Sequence, residues 1–422
     1  MAEGGSEVSR RAITNLTVLI ISVLVSLLIG EIIVRIGGET DENGQFYFMD
    51  RPLKPYELPV SDTEELIDAY LESTTSYHMY DPRLGWNIRP EVQSEDGLYR
   101  SNATGLRSDV EYDLTRPPDV VRIAIFGDSF THGSDQPLEE SWGYLLEKRL
   151  RDQGLDVEVM NFGVGGYGTD QAFLRWKYEG SQYSPQLVLL GFRVENVFRN
   201  LNVVRSIYRP GSGIPFSKPR FVLEGETLEL VNSPTVPPEE MPALLGDFVN
   251  SPLADLEYHF QSEDYTHYWW LNSRLLSFAL ELGEETKATD SSPRVRREGF
   301  FDLDGEPVQL TLKIIEDFEV DVEAQGAEFV IVYLPTKQYL RDYRKDRPIE
   351  YADLLAYLDE HHTVVHPEKN MFGQPVHAYW DKHYSFDGSK AISKAIDKQI
   401  SDQVSVLMTA SDADSREAQS TR

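Results

Sequence analysis

Short runs of apolar, often β-branched residues alternate with amphipathic segments along most of this chain. A buried strand that alternates with a helix is typical of a parallel sheet covered by helices on both faces. The alternation therefore predicts an α/β fold. The predicted strands are 120–126, 157–160, 187–190, 328–334 and 363–365, and the main predicted helices are 138–151, 169–179, 308–324, 351–359 and 387–401.

The N-terminal region contains an uncharged apolar run over 16–29, which with the next five residues reaches the ~20 residues needed to cross a bilayer. Arg10 and Arg11 precede the run and acidic residues soon follow it, so we expect the N-terminus to be cytoplasmic. We predict a single-pass membrane protein with an uncleaved anchor at 13–36, a cytoplasmic segment at 1–12 and the remainder outside the cytoplasm. A cleaved signal peptide is the alternative, but no small-x-small site directly follows the run.

The charge balance limits the classes of partner. Asp and Glu total 70 against 40 Lys and Arg, and a formal net charge of -30 repels polyphosphates. We therefore expect no nucleic-acid partner. The basic residues are 13 Lys and 27 Arg, and a Lys-poor acidic composition predicts a halophilic source. The absence of cysteine excludes disulfides, thiolate metal sites and cysteine nucleophiles.

The part after the anchor divides by composition. We predict an irregular lead-in at 37–118, an α/β domain at 119–405 and a disordered tail at 406–422. Within the α/β domain, the residues at about 199–300 break the strand–helix rhythm and are interpreted as an insertion, with a hairpin near 221–231.

Ser129 follows the first predicted strand directly, in the sequence Gly127-Asp128-Ser129-Phe130. Ligands collect at the carboxyl ends of the strands in an open parallel sheet, so Ser129 is the first candidate for a functional residue. Taken alone, a serine at this position also fits an ordinary helix N-cap.

A second block precedes the last predicted helix and contains Asp381 and His383. A hydroxyl nucleophile needs a base, and the base needs an acceptor on its second ring nitrogen. Asp381 and His383 supply both from one short loop. Elsewhere, we interpret Asp135 as a residue that caps the first helix, and His132 as a helix-entry residue near the mouth of the site.

Two further blocks follow the second and third predicted strands. Glycines at 163, 165, 166 and 168 let backbone amides approach a developing negative charge. This loop follows the second strand, whereas a dinucleotide fingerprint belongs to the first βα turn. Asn196, beyond the third strand, is a candidate side-chain donor to an oxyanion, although asparagine in a loop is usually a turn residue.

Together the four blocks resemble the SGNH hydrolases, also called the GDSL family of esterases, lipases and acyltransferases, over about 120–198 and 328–401. The resemblance implies a three-layer α/β/α sandwich with a mostly parallel, flavodoxin-like five-stranded sheet. It also implies that Ser129 is the nucleophile and His383 the base. The implied oxyanion donors are the backbone amides of Ser129 and Gly166 and the side chain of Asn196.

The sequence departs from the family pattern in two places. Gly191 lies five residues before Asn196 instead of two, and Val197 replaces the aspartate that usually follows that asparagine. The acid commonly lies three residues before the histidine, where this chain has Trp380, so Asp381 is the predicted acid. The shorter spacing is similar to that of the polysaccharide O-acetyltransferase branch.

We therefore expect an extracytoplasmic serine esterase that hydrolyses O-acyl esters, above all O-acetyl esters of carbohydrate, through a Ser-His-Asp triad and an acyl-enzyme. We predict neither a cofactor nor a metal. One alternative is an acyltransferase that passes the acyl group to a polysaccharide with the same triad. The other is a non-catalytic envelope or carbohydrate-binding protein on a degenerate hydrolase scaffold.

Overall fold

The structure is a computed structural model that describes residues 3–285 and 301–420, so residues 286–300 of the predicted insertion lie outside the described residues, as do the two residues at each end. The strands are β1 (Gly38–Thr40), β2 (Phe46–Phe48), β3 (Arg51–Pro52), β4 (His78–Asp81), β5 (Gly85–Ile88), β6 (Val121–Gly127), β7 (Val157–Asn161), β8 (Leu187–Phe192), β9 (Arg220–Glu224), β10 (Thr227–Val231), β11 (Glu328–Tyr333) and β12 (Val364–Val365). The helices are α1 (Glu3–Gly37), α2 (Val60–Glu72), α3 (Ser129–His132), α4 (Trp142–Asp152), α5 (Thr169–Tyr178), α6 (Asn196–Arg199), α7 (Arg205–Tyr208), α8 (Met241–Gly246), α9 (Ser262–Tyr265), α10 (Arg274–Glu285), α11 (Glu306–Ala324), α12 (Lys337–Tyr343), α13 (Ala352–His361) and α14 (Phe386–Ser420).

The central sheet has the strand order β12-β11-β8-β6-β7, and every neighbouring pair in it is parallel. This is the doubly wound order of flavodoxin-like folds, in which the chain changes direction between the first and third strands of the sheet. The predicted parallel α/β fold is confirmed. The change of direction lies between β6 and β8, and the crevice outside their carboxyl ends is where such folds bind ligands.

Helices cover both faces of the sheet because successive strand residues point to opposite sides. Ile123 and Ile125 of β6 pack with α4 and α14, whereas Ala124 and Phe126 pack with α5 and α11. All seven residues of β6 are buried, as expected for a strand covered on both faces. The sheet is therefore the middle layer of an α/β/α sandwich.

The lead-in is more regular than its composition predicts. It contains α2 and five short strands, and Ile67 and Trp86 from it share a hydrophobic cluster with Ile207 and Met241 of the insertion. The insertion also contains the hairpin β9–β10, close to the predicted one. The lead-in and the insertion thus form a second small core beside the sheet, which local sequence patterns do not reveal because its parts are distant in the chain.

Residues Ile13–Gly37 of α1 are long and apolar enough to cross a membrane. The end of α1 packs on α10, where Glu31 accepts hydrogen bonds from the backbone N–H groups of Arg274 (3.0 Å) and Leu275 (2.9 Å). A carboxylate at the amino end of a helix satisfies N–H groups that lack intrahelical partners. These contacts attach the apolar helix to the insertion.

The last helix, α14, continues to Ser420, where the sequence analysis predicts a disordered tail from 406 onward. No proline or glycine occurs after Gly388. Nothing in this segment therefore interrupts the backbone hydrogen bonding of the helix.

The insertion contains a buried histidine that makes the stability depend on pH. His259 is 5% exposed and its Nε2 lies 2.9 Å from the carbonyl oxygen of Phe198. Burial, together with the nearby Arg220 and Lys218, lowers the pKa of His259 from 6.5 to about 4, although the hydrogen bond to the Phe198 carbonyl opposes the shift. The folded chain keeps this imidazole neutral while the unfolded chain protonates it below pH 6.5, so stability falls as the pH falls from about 6.5 towards 4.

We expect His259→Gln, which keeps a donor near the Phe198 carbonyl but does not titrate, to reduce this pH dependence. Between pH 7.5 and pH 5 the wild type should lose about 2 kcal/mol more unfolding free energy than the variant. Urea unfolding of the full chain in detergent micelles at both pH values measures the difference. Equal losses for the two proteins would show that His259 is not the group responsible.

Candidate active site

The end of β6 turns sharply into α3. The carboxylate of Asp128 accepts a hydrogen bond from the N–H of Phe130 at 2.9 Å and caps the helix, so Ser129 is its first residue. The other carboxylate oxygen of Asp128 accepts one from Arg199 at 2.6 Å. Because Asp128 is fully buried, these two bonds fix the turn that presents Ser129 at the edge of the sheet.

Ser129 and His383 lie together although 254 positions separate them. The Oγ atom of Ser129 is 2.8 Å from Nε2 of His383. The other ring nitrogen, Nδ1, is 2.6 Å from Oδ2 of Asp135. A hydroxyl, an imidazole and a carboxylate therefore form one hydrogen-bonded chain at the carboxyl end of β6, which is the arrangement that activates a serine hydroxyl.

The carboxylate that contacts the His383 ring belongs to Asp135 and not to the predicted Asp381. Asp381 lies in a tight turn in which its N–H donates to the carbonyl oxygen of His383 at 2.9 Å. In the part of the chain that the structure describes, no hydrogen bond joins the Asp381 carboxylate to the His383 ring. Closeness in sequence to the histidine suggested Asp381, whereas the fold supplies the carboxylate from the turn after α3.

Backbone conformation and a neighbouring tyrosine position Asp135. Its φ of 64° is left-handed, a region in which Asp is enriched among non-glycine residues. The N–H of Asp135 donates to the hydroxyl oxygen of Tyr99 at 2.7 Å. The lead-in thereby positions the carboxylate that contacts His383, whereas the sequence predicts a helix cap at Asp135.

His132 is the last residue of α3, the short helix that begins at Ser129, and it contacts Tyr77 of the lead-in. It is 2% exposed, and its Nε2 lies 2.9 Å from the hydroxyl of Tyr77. Burial lowers the pKa of His132 well below its ordinary value. His132 is therefore a neutral, buried residue that links α3 to the lead-in.

The loop after β7 is tied to α3 by one asparagine. Asn161 donates to the carbonyl oxygen of Thr131 at 3.0 Å and accepts from the N–H of Gly163 at 2.9 Å. Gly166 in the same loop has a φ of +83°, and a Cβ there would lie 2.9 Å from Ile214. A side chain at this position would be both strained and crowded, which explains the glycine.

Of the three predicted oxyanion donors, Ser129 and Gly166 contribute backbone amides. Within the described residues, neither N–H group donates a backbone hydrogen bond, and Ser129 lies at the free amino end of a helix. Asn196 begins α6 after β8; its side chain is fully buried, and neither of its polar atoms has a partner among the described residues. Among the described residues, these three donors therefore have no protein acceptor.

A cavity of about 450 Å³ adjoins Phe130, the residue after Ser129. The ring of Phe130 lies 4.6 Å from that of His383, and the guanidinium carbon of Arg193 lies 3.5 Å from the Phe130 ring centroid. Sequence reasoning did not identify Arg193 as a residue near the site. In the segment GFRVENVFRN, which begins at Gly191, the sequence points to Asn196, whereas no spacing marks the arginines.

Residues 123–222 match the family model described as GDSL-like Lipase/Acylhydrolase. The chain carries a GDSL-like lipase/acylhydrolase domain. The resemblance inferred from the four sequence blocks is confirmed. The matched segment holds Ser129, Gly166 and Asn196, whereas His383 lies beyond it.

One curated relative of this GDSL-like domain is a protein named Arylesterase from Vibrio mimicus, 35% identical over 69 residues. The alignment covers 16% of this chain and 34% of that protein, so the chain spans about a third of the relative's length.

The fold is also similar to solved structures. A lipolytic protein of the G-D-S-L family from Desulfitobacterium hafniense is 11% identical, with a TM-score of 0.31 over 66% of this chain and 98% of that one. A lipase/acylhydrolase from Enterococcus faecalis is 13% identical, with a TM-score of 0.32 over 67% and 96%. A mutant of an acetyl-xylooligosaccharide esterase from Geobacillus stearmophilus is 10% identical, with a TM-score of 0.34 over 66% and 94%.

Because Asp135 and not Asp381 contacts the His383 ring, substitutions of these two aspartates should affect activity differently. Asp135→Asn should lower kcat/KM on a small acyl ester by about 10²- to 10⁴-fold, because an amide neither holds the same imidazole tautomer nor stabilises its protonated form. Asp381→Asn, a matched change of an exposed carboxylate, should stay within about threefold of the wild type. Steady-state hydrolysis of p-nitrophenyl acetate measures both variants. The assignment of Asp135 is wrong if Asp381→Asn has the larger effect.

Proposed function

We propose that this protein is a serine esterase that hydrolyses O-acyl esters through Ser129, His383 and Asp135. The observation that carries the proposal is the contact of 2.8 Å between Ser129 Oγ and His383 Nε2, with Asp135 on the other ring nitrogen. The GDSL-like domain over 123–222 supports the same class of reaction.

The chemistry is a two-step acyl transfer. Nε2 of His383 takes the proton of the Ser129 hydroxyl as Oγ attacks the ester carbonyl carbon, and the oxyanion is held by the amides of Ser129 and Gly166 and the side chain of Asn196. The ester bond then breaks; the alcohol leaves with the proton from His383, and the acyl group stays on Oγ. Water, deprotonated by His383, attacks this acyl-enzyme and releases the acid, and the proton returns to Ser129.

Carbohydrate esters are the substrates we propose. The cavity beside Phe130 is lined by aromatic side chains, including Tyr339, Tyr351 and Trp380, together with Lys337 and Gln338. Aromatic faces and polar groups side by side suit a sugar ring, which presents C–H faces and hydroxyl edges. Acetyl esters are the first to test because acetyl is a small acyl group.

A covalent probe and a matched serine control test the nucleophile. A fluorophosphonate should label the full-length wild type, and Ser129→Ala should abolish labelling and lower release of acetate from acetylated methyl glucosides by about 10³-fold or more. The exposed Ser405→Ala should retain both properties, since it lies on α14 away from the sheet edge. Unchanged labelling of Ser129→Ala would favour the non-catalytic alternative. Transfer of acetyl to an added sugar instead of water would favour the acyltransferase.

We also propose that the helix at Ile13–Gly37 anchors the esterase with its catalytic domain outside the cytoplasm. The natural chain has no cysteine, so a single introduced thiol reports topology without background. A membrane-impermeant maleimide added to intact cells should label Ser405→Cys and leave Ser6→Cys unlabelled until the cells are lysed. The opposite pattern would reverse the topology, and recovery of Ser405→Cys in the soluble fraction would indicate a cleaved signal.

A further inference from the structure

The segment that follows β8 is unusual in its unpaired polar atoms. Half of the buried side-chain nitrogen and oxygen atoms that have no hydrogen-bond partner in the described residues belong to residues of 193–206. This segment begins at the carboxyl end of β8, beside the end of β6 that carries Ser129. We call it the polar wall, and the residues that contribute these atoms are Arg193, Asn196, Arg199, Asn202, Arg205 and Ser206.

The arginines of the polar wall differ in how their charge is balanced. Arg193 is paired with Glu195 at 2.6 Å, and Arg199 is paired with Asp128 at 2.6 Å. Arg205 is 4% exposed and has no carboxylate partner among the described residues, and its Nε and Nη1 make no hydrogen bond there. A buried cation without a counterion is strongly unfavourable. A partner from outside the chain would remove that penalty.

Arg205 borders the catalytic loops. Its guanidinium carbon lies 3.7 Å from the position that a Cβ on Gly166 would occupy, so the guanidinium lies close to the backbone of Gly166. Burial, and then repulsion by Arg199, lower the pKa of Arg205 to about 9, while Tyr208, whose ring centroid lies 5.4 Å from the guanidinium carbon, and Asp128 raise it. The group therefore stays protonated at neutral pH, next to the amide proposed to hold the oxyanion.

We propose that Arg205 binds an anionic oxygen group carried by the ester substrate, so that the enzyme prefers acyl esters of acidic carbohydrates. This inference rests on the proposed esterase function and names the class of its substrate. A guanidinium group presents a planar fork of donors that matches a carboxylate, sulfate or phosphate. The buried side chains of Asn202 and Ser206, in the same polar wall, also have polar atoms without a partner among the described residues.

Substrate pairs that differ only in charge test the proposal. The probes are acetylated methyl glucuronide and acetylated methyl glucoside, compared by kcat/KM with the full-length protein in detergent micelles. The wild type should prefer the glucuronide by about tenfold to a hundredfold, and Arg205→Met should remove that preference. Arg205→Lys keeps the charge but not the fork, and should retain a preference that is reduced at least about threefold. The exposed Arg209→Met makes the same change of net charge and should keep the wild-type ratio.

Several results would overturn the proposal. A wild type that hydrolyses both esters equally well would refute it while leaving the esterase function in place. Equal losses of kcat on both esters in Arg205→Met would make Arg205 a group that stabilises the oxyanion and not one that selects the substrate. If Arg205→Met fails to fold, as judged by near-ultraviolet circular dichroism, the wild-type ratio and Arg205→Lys decide.

A binding measurement separates this inference from the esterase function. Calorimetric titration of Ser129→Ala with methyl glucuronide, methyl glucoside, and the 6-sulfate and 6-phosphate of methyl glucoside needs no turnover. Binding of any anionic sugar at least about tenfold tighter than that of the glucoside, lost on adding Arg205→Met, supports the proposal even if neither ester is hydrolysed. The anionic sugar that binds most tightly identifies whether Arg205 prefers a carboxylate, a sulfate or a phosphate. Equal binding of all four sugars would refute the proposal.

Discussion

The site depends on how closely the turn after β6 approaches β8. Gly127 and Gly191 end these neighbouring strands, and a Cβ on either glycine would overlap the hydroxyl oxygen of Thr131 in α3. The φ of +151° at Gly127 is also one that side chains rarely adopt. With glycine in both places, α3 packs directly against the ends of β6 and β8. Ser129 is therefore held where the parallel sheet changes direction and where a loop from the far end of the chain can reach it.

Much of this arrangement could be predicted because local patterns carry it. The strands are buried on both faces and read as short β-branched runs, as β6 shows, and their order follows from the connections that parallel strands require. Ser129 and His383 are recognisable because each stands at a fixed place in the topology, directly after the first strand and directly before the last helix. Their contact of 2.8 Å is the consequence of that topology.

Other parts of the site depend on contacts that no local pattern records. Asp135 reaches His383 across 248 positions, from a left-handed backbone conformation and with a lead-in tyrosine on its N–H. In sequence it stands where a helix cap is expected, and Asp381 stands nearer to the histidine. The lead-in also makes contacts that no local pattern predicts. The indole N–H of Trp86 donates to the carbonyl oxygen of Gly165 at 2.9 Å, and the hydroxyl of Tyr167 donates to the carbonyl oxygen of Trp86 at 2.6 Å. These bonds attach an apparently irregular segment to the loop that carries Gly166.

The electrostatics of the chain act on two scales. A formal net charge of -30 is spread over a hydrated surface and is screened by salt within about 10 Å at 0.1 M ionic strength. Arg205 lies inside the molecule, where screening is weaker and an unpaired charge interacts more strongly with whatever enters. The surface therefore governs how fast an acidic sugar arrives, and high salt favours its approach. The buried guanidinium governs how well such a sugar is held once it is there. An acidic protein can thus favour an anionic substrate without any basic surface patch, because the attraction comes from a buried guanidinium that has no carboxylate partner among the described residues.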